Sequence, residues 1–150
     1  MKAKELMTSN PFVVAKDQPL SRAAEIMRDI DIGIVPVVDS LTSMRLLGVI
    51  TDRDITVRCV AQKHGASCTV ADHMTSKNLA TVQPDDDVDT VISLMERDQV
   101  RRIPVVTNEN RLAGVIAQAD IVSKLGRTNP GKVEEVLERV STPQQLVTAG

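Results

Sequence analysis

The chain states one pattern twice, and its fold has to honour that. Met7-Thr8-Ser9 returns as Met74-Thr75-Ser76, and Val35-Pro36-Val37-Val38 as Ile103-Pro104-Val105-Val106. Gly48-Val49-Ile50, followed by Asp54-Ile55, returns as Gly114-Val115-Ile116, followed by Asp120-Ile121. Residues 7–55 and 74–121 align throughout with two small length adjustments. A duplication of this extent predicts two similar units related by a pseudo-twofold axis, with matching clefts where they meet.

Each repeat reads as β-α-β-β-α. In the first, Leu20, Ala23, Ala24, Met27 and Ile30 form one apolar stripe at helical spacing, behind Asp17 as N-cap and Pro19 in the opening turn. Gly33–Asp39 is too short for a helix and rich in Val, which predicts a strand. Pro36 would interrupt a central ladder and so belongs near the strand start or at an edge. Leu46–Thr51 is its hairpin partner, and Asp52-Arg53-Asp54 opens a helix to about Ala61. The second repeat follows with a helix from Val88, strands at Ile103–Val106 and Leu112–Ala117, and a helix from about Ala119 to Leu125. Short extended segments at Phe12–Val14 and Ala80–Val82 precede the first helix of each repeat. Repeats at 1–61 and 74–125, a connector at 62–73 and an appendage at 126–150, helical over Lys132–Val140, complete a mixed α/β (α+β) fold.

Phe12 is the only aromatic residue, so the core has to be built from Val, Ile, Leu, Met and Ala. A net charge of −2 gives no basic patch, and the lack of aromatic stacking platforms argues further against nucleic acid. No apolar run reaches the ~18–20 residues that span a bilayer, and the N-terminus lacks a signal-like stretch. A cytoplasmic protein is expected.

With these motifs in order, the chain resembles the cystathionine-beta-synthase (CBS) domain pair, or Bateman module, over about residues 1–125. "MRDIDIGIVPVVD" with "GVITDRDI", then "DQVRRIPVV" with "GVIAQADI", are similar to small stand-alone CBS-pair proteins of the hypoxic response protein one type. The resemblance implies a regulatory sensor rather than an enzyme, clefts between the repeats, and commonly a homodimer. It also implies adenosine ligands: AMP, ADP, ATP or S-adenosylmethionine. Some such modules bind no nucleotide, which leaves an interaction or scaffold role as the alternative.

The junction Gly48–Ile55 suits a ribose. The Asp54 carboxylate can accept both hydrogen bonds of a cis-diol, Thr51 stands three positions earlier, and the helix start favours an anion. Ile34 and Pro36 would wall the purine, with the backbone of Phe12 and Val14 at the adenine edge. Helix-dipole complementation by Asp54 and capping by Thr51 explain the same spacing without a ligand. In the second cleft Asp120 replaces Asp54, Pro104 and Val82 take the places of Pro36 and Val14, but Ala117 replaces Thr51 and Gln118 replaces Asp52. Loss of the hydroxyl predicts a weaker second site. Arg53, Arg101 and Arg102 are candidates for phosphate oxygens.

Both cysteines and both histidines fall within Cys59-x4-His64-x3-Cys68-x4-His73. Two sulfurs and two imidazoles suffice for tetrahedral zinc, yet the spacing matches no recognised zinc finger. A buried Cys used as a small apolar residue and a Cys59–Cys68 disulfide are the competing readings, and no metal is assigned. No Ser-His-Asp order, Walker loop or GxGxxG is present. Asp85, Asp86 and Asp87 are explained by the helix start they crowd. For a homodimer, Ile26 and Leu94 widen the helix stripes and are expected at an isologous interface.

Overall fold

The computed structural model describes residues 1–65 and 67–141. Helix α1 (Ala3–Leu6) and strand β1 (Thr8–Ser9) lead to β2 (Val14–Ala15), α2 (Leu20–Ile30), β3 (Ile34–Val38) and β4 (Leu46–Thr51). A short α3 (Asp52–Asp54) continues directly into a π-helical turn over Ile55–Val60, and α4 (Val70–His73) closes the first half. The second half contains α5 (Val88–Asp98), β5 (Arg102–Val106), β6 (Leu112–Ala117), α6 (Gln118–Leu125) and α7 (Pro130–Ser141). Two three-stranded sheets result, one ordered β2-β3-β4 and the other β1-β6-β5.

The second sheet contains the main surprise. Strand β1 pairs antiparallel with β6, placing Thr8 opposite Val115 and Ser9 opposite Gly114. Reciprocally, Thr75 bridges Val49 of the first sheet, through Val49 N–H to Thr75 O (2.9 Å) and Thr75 N–H to Val49 O (2.8 Å). The Met-Thr-Ser segment that opens each sequence repeat therefore packs on the other repeat. Ala3 and Leu6 lie in the second unit's core with Val91, Ile92, Met95, Ile116 and Ile121. Val70 lies in the first unit's core with Val14, Ala23, Val35 and Ile50. Two glycines permit the crossing strands to approach. A Cβ on Gly48 would stand 2.3 Å from Thr75 O, and one on Gly114 would stand 2.7 Å from Thr8 O. The sheets meet at their hairpin ends, where Leu46 N–H donates to Asn110 O (3.0 Å) and Leu112 N–H to Met44 O (2.8 Å). Val38, Leu46, Val106 and Leu112 fill that seam.

Pro36 sits within β3 rather than at its start, opposite Val49. It is tolerated because β2 pairs only with Val37 and Val38, so β3 is an edge on that side at Pro36. Helix α2 begins at Leu20, after Pro19, and Leu20 N–H donates to Cys68 O (2.8 Å) instead of to an Asp17 cap. The appendage is integrated into the second unit: Val136 and Val140 are buried in its core. Lys132–Asp89 (2.6 Å) and Arg139 Nε–Glu96 (2.7 Å) clamp α7 along α5. Its last nine residues lie outside the described ones.

These contacts correct the surface expected to carry a second chain. Ile26 is only 4% exposed and belongs to the first core. Leu94 packs against the second core, on a helix that α7 flanks. The wide stripes serve the interior.

Candidate ligand clefts between the repeats

Exchange of the Met-Thr-Ser segments decides which residues share a cleft. One cleft, open over about 640 Å³ to its mouth, is lined by Thr8, Pro11, Phe12, Ile30, Ile32, Ile34 and Pro36 from the first repeat. Arg102, Pro104, Val115, Ala117 and Asp120 of the second repeat form its other side. The other cleft has Thr51, Ile34 and Val49 facing Thr75, Lys77, Asn78, Leu79, Asp98, Val100, Arg102 and Pro104. Its volume is about 720 Å³ on the same measure. These figures include open solvent at each mouth; the enclosed space is about 140 Å³ in the first cleft and about 280 Å³ in the second.

The expected grouping of Phe12, Ile34 and Pro36 with Asp54 is thus corrected. Phe12 and Pro36 line the Asp120 cleft, while Ile34 reaches both. The two clefts correspond position by position, but their chemistry differs. Phe12, Ile30, Ile32 and Ile34 in the first match Leu79, Asp98, Val100 and Arg102 in the second. One wall is continuous hydrocarbon, and its counterpart is broken by charge. Phe12 is 58% exposed, an aromatic ring placed at a cleft rather than in a core.

The two carboxylates are in different states. Asp54 is only 9% exposed. Its Oδ2 accepts from Thr51 N–H (3.1 Å), its own N–H donates to Thr51 Oγ1 (2.9 Å), and the Thr75 hydroxyl donates to it at 3.2–3.3 Å. Arg58 Nε is 3.6 Å from Oδ1. Thr51 and Asp54 thus form a reciprocal cap at the start of α3, and Asp54 does not line the cleft. Asp120 accepts from Ala117 N–H (2.8 Å) through Oδ2, does line its cleft, and its Oδ1 has no partner among the described residues. A carboxylate oxygen facing a cleft can still accept hydrogen bonds.

Other candidates fall outside the clefts. Val82 uses its N–H toward Pro104 O (3.1 Å) and its carbonyl toward Val106 N–H (2.8 Å), leaving neither for an adenine edge. Val14 is fully buried and paired with Val37. Arg53 is exposed beside Thr56 and Val57, and Arg101 is exposed at the strand entrance; neither lines a cleft. Arg102 and Pro104 line both. The residues missed from the sequence are Thr8 on the crossing strand β1, Val115 opposite it on β6, and Ile30 and Ile32 at the end of α2 and in the turn after it.

The connector brings its Cys and His residues together. One donor atom each from Cys59, Cys68 and His73 lie within 4.8 Å of one another, and His64 Nδ1 is 3.3 Å from His73 Nε2. Partial burial, and then the neighbouring Cys59, push the Cys68 thiol above its ordinary pKa.

Comparison with known proteins agrees with this architecture. The CBS domain family model matches residues 3–60 and again 70–127. The chain belongs to the CBS-domain family, as a tandem pair. It is 38% identical over 120 residues to the uncharacterized protein YlbB of Bacillus subtilis, covering 80% of this chain and 79% of that protein. It is 32% identical over 123 residues to hypoxic response protein 1 of Mycobacterium tuberculosis, covering 82% and 84%. Among solved structures, hypoxic response protein I with two coordinated zinc ions superposes with a TM-score of 0.73 at 30% identity, covering 82% of this chain and 98% of that one. The CBS domain pair of MJ0100, in complex with 5-methylthioadenosine and S-adenosyl-L-methionine, gives 0.70 at 27%, covering 86% and 98%. Among the described residues no helix is long and apolar enough to cross a membrane.

Proposed function

We propose that this chain is a non-catalytic regulatory module that binds an adenosine-containing ligand, AMP, ADP, ATP or S-adenosylmethionine, in the Asp120 cleft. One observation carries the reading. A single cleft joins the chain's one Phe, Tyr or Trp side chain, Phe12, a wall of Ile30, Ile32 and Ile34, a carboxylate oxygen with no partner among the described residues, and the cationic Arg102. An adenine fits the apolar wall, a ribose diol the Asp120 carboxylate, and a phosphate or carboxylate the Arg102 guanidinium. The adenosine complex of the related MJ0100 pair supports the ligand class.

This reading reverses the order of sites expected from sequence. The Thr51 hydroxyl accepts from Asp54 N–H, and the Asp54 carboxylate accepts from Thr51 N–H and the Thr75 hydroxyl, so a ligand in that cleft would have to displace existing hydrogen bonds. Asp120 has an oxygen available without that cost. A thermal-shift panel tests the class: a ligand at a hundred times its Kd adds about 2.7 kcal/mol to the folded state. Stabilisation by adenosine compounds and not by matched cytidine compounds is expected. Equal response to both, or none at millimolar concentration, would leave the clefts as an empty scaffold feature.

A further inference from the structure

We propose that the connector carries a tetrahedral Zn2+ site formed by Cys59, Cys68, His73 and His64. Three ligand atoms already lie within 4.8 Å of one another, and no second group of this kind occurs among the described residues. Two sulfurs on a tetrahedral zinc stand about 3.8 Å apart and two nitrogens about 3.3–3.4 Å, from ordinary Zn–S and Zn–N lengths. The His64–His73 nitrogen separation of 3.3 Å already has that value. His64 joins the group through His73, and closing all four donors on one ion needs side-chain movement.

The backbone is shaped around these residues. The helix after β4 departs from α geometry at Ile55–Val60, and the π pattern continues to His64 N–H→Cys59 O (3.0 Å). The matching helix of the second repeat, Gln118–Leu125, is regular α and has no Cys or His. Single π turns recur at functional sites because they re-aim one side chain. Here the turn precedes a loop that returns Cys68 and His73 to Cys59. Cys59 is 5% and His73 6% exposed, a setting in which charge has to cancel. Zn2+ with two thiolates and two neutral imidazoles is a neutral set. Binding transfers one proton from each thiol to solvent and involves no oxidation or reduction.

The ion would tie the π turn to α4. From α4 the chain runs directly into Thr75, which bridges Val49 and donates to Asp54, while Arg58 donates to the carbonyls of His73 (3.3 Å) and Met74 (3.1 Å). Zinc would thereby brace one wall of the Thr51 cleft. The proposal does not depend on nucleotide binding.

The test is Co2+ titration of the reduced, chelator-treated full chain, followed by displacement with Zn2+. The expected result is one equivalent of Co2+ giving the visible bands of a tetrahedral site with a sulfur charge-transfer band, both lost on adding Zn2+. Cys68→Ser should lose the charge-transfer intensity in part, and His64→Ala, at an exposed position, should weaken Co2+ binding at least about tenfold. A chain that gives only octahedral Co2+ spectra overturns the site. So does an intact mass lower by two hydrogens that persists under mild reduction, since that reports a Cys59–Cys68 disulfide. Wild-type spectra and affinity in His64→Ala would remove His64 and with it the four-ligand assignment.

Discussion

Gly48→Ala tests whether the two repeats are held together by exchanged segments. The new methyl would meet Thr75 O at 2.3 Å, Thr75 C at 3.1 Å and Ser76 Cα at 3.2 Å, all backbone atoms that no rotamer can move. Relief requires the Thr75 segment to retreat by about an ångström, which breaks the two Val49–Thr75 hydrogen bonds. Keeping the clash costs about 1–3 kcal/mol as overpacking; releasing it forfeits about 1 kcal/mol for each bond and loosens the Asp54–Thr75 contact. The two routes together bracket a loss of about 1–3 kcal/mol. Gly114→Ala is the internal control. Its methyl meets Thr8 O at 2.7 Å and otherwise the flexible end of Met7, so about 1–2 kcal/mol is expected. Urea unfolding of both variants, compared at equal m-value, measures the ranking. Amide exchange at Val49 and Thr75 should accelerate in Gly48→Ala alone. A loss below about 0.5 kcal/mol, or a larger loss in Gly114→Ala, would refute the crossing geometry.

Phe12→Ala should weaken adenosine binding several-fold, from about 0.5–1.5 kcal/mol of ring contact, and leave the unfolding midpoint nearly unchanged because the ring packs on no core; a stability loss without an affinity loss would contradict its placement. Ile26→Glu should unfold the first unit by burying a charge, so circular dichroism would change, whereas a folded variant by that measure would return Ile26 to the surface. Val136→Ala should cost about 2 kcal/mol through a cavity in the second core; no change in urea would mean that α7 is not part of it. Lys2–Asp87 (2.8 Å) and Lys4–Asp85 (2.7 Å) fasten α1, and the hydrogen bond and then the charge of each lysine hold the two aspartates below their ordinary 3.8. Lowered folded pKa values give support that is complete above that value and fades as pH falls through the depressed one. Amide protection factors in Ala3–Leu6, taken against the intrinsic rate at each pH, should therefore fall on acidification below about pH 4, and Lys4→Ala should remove part of that pH dependence. Identical acid profiles in the two proteins would argue against the tether.

The elements were legible because their signals are local. The stripes of α2 and α5, the two hairpins and the helical stretch of the appendage follow from spacing within single windows, and the repeat assigned their equivalence. The crossing was not legible, for a reason that lies in the repeat itself. Met7-Thr8-Ser9 and Met74-Thr75-Ser76 present the same edge, so pairing with β4 or with β6 satisfies the same pattern. Only the three-dimensional path selects one, and that choice moved Phe12 and Pro36 to the opposite carboxylate. The spacing of Thr51 and Asp54 suits a ribose and equally makes a capping box, and the structure forms the cap. The Thr51–Ala117 difference survives with a changed meaning: it leaves Asp120 with a simpler cap.

Calorimetric titration of AMP, ADP, ATP and S-adenosylmethionine into the wild type, Asp120→Ala and Asp54→Ala tests the central claim most directly. At least one ligand should bind the wild type. Asp120→Ala should weaken that ligand by about 1.5–3 kcal/mol, or roughly ten- to a hundredfold, as expected for hydrogen bonds to a charged group, while Asp54→Ala changes affinity less than threefold as long as the chain stays folded. Undiminished affinity in Asp120→Ala, or a larger loss in a folded Asp54→Ala, would contradict the account.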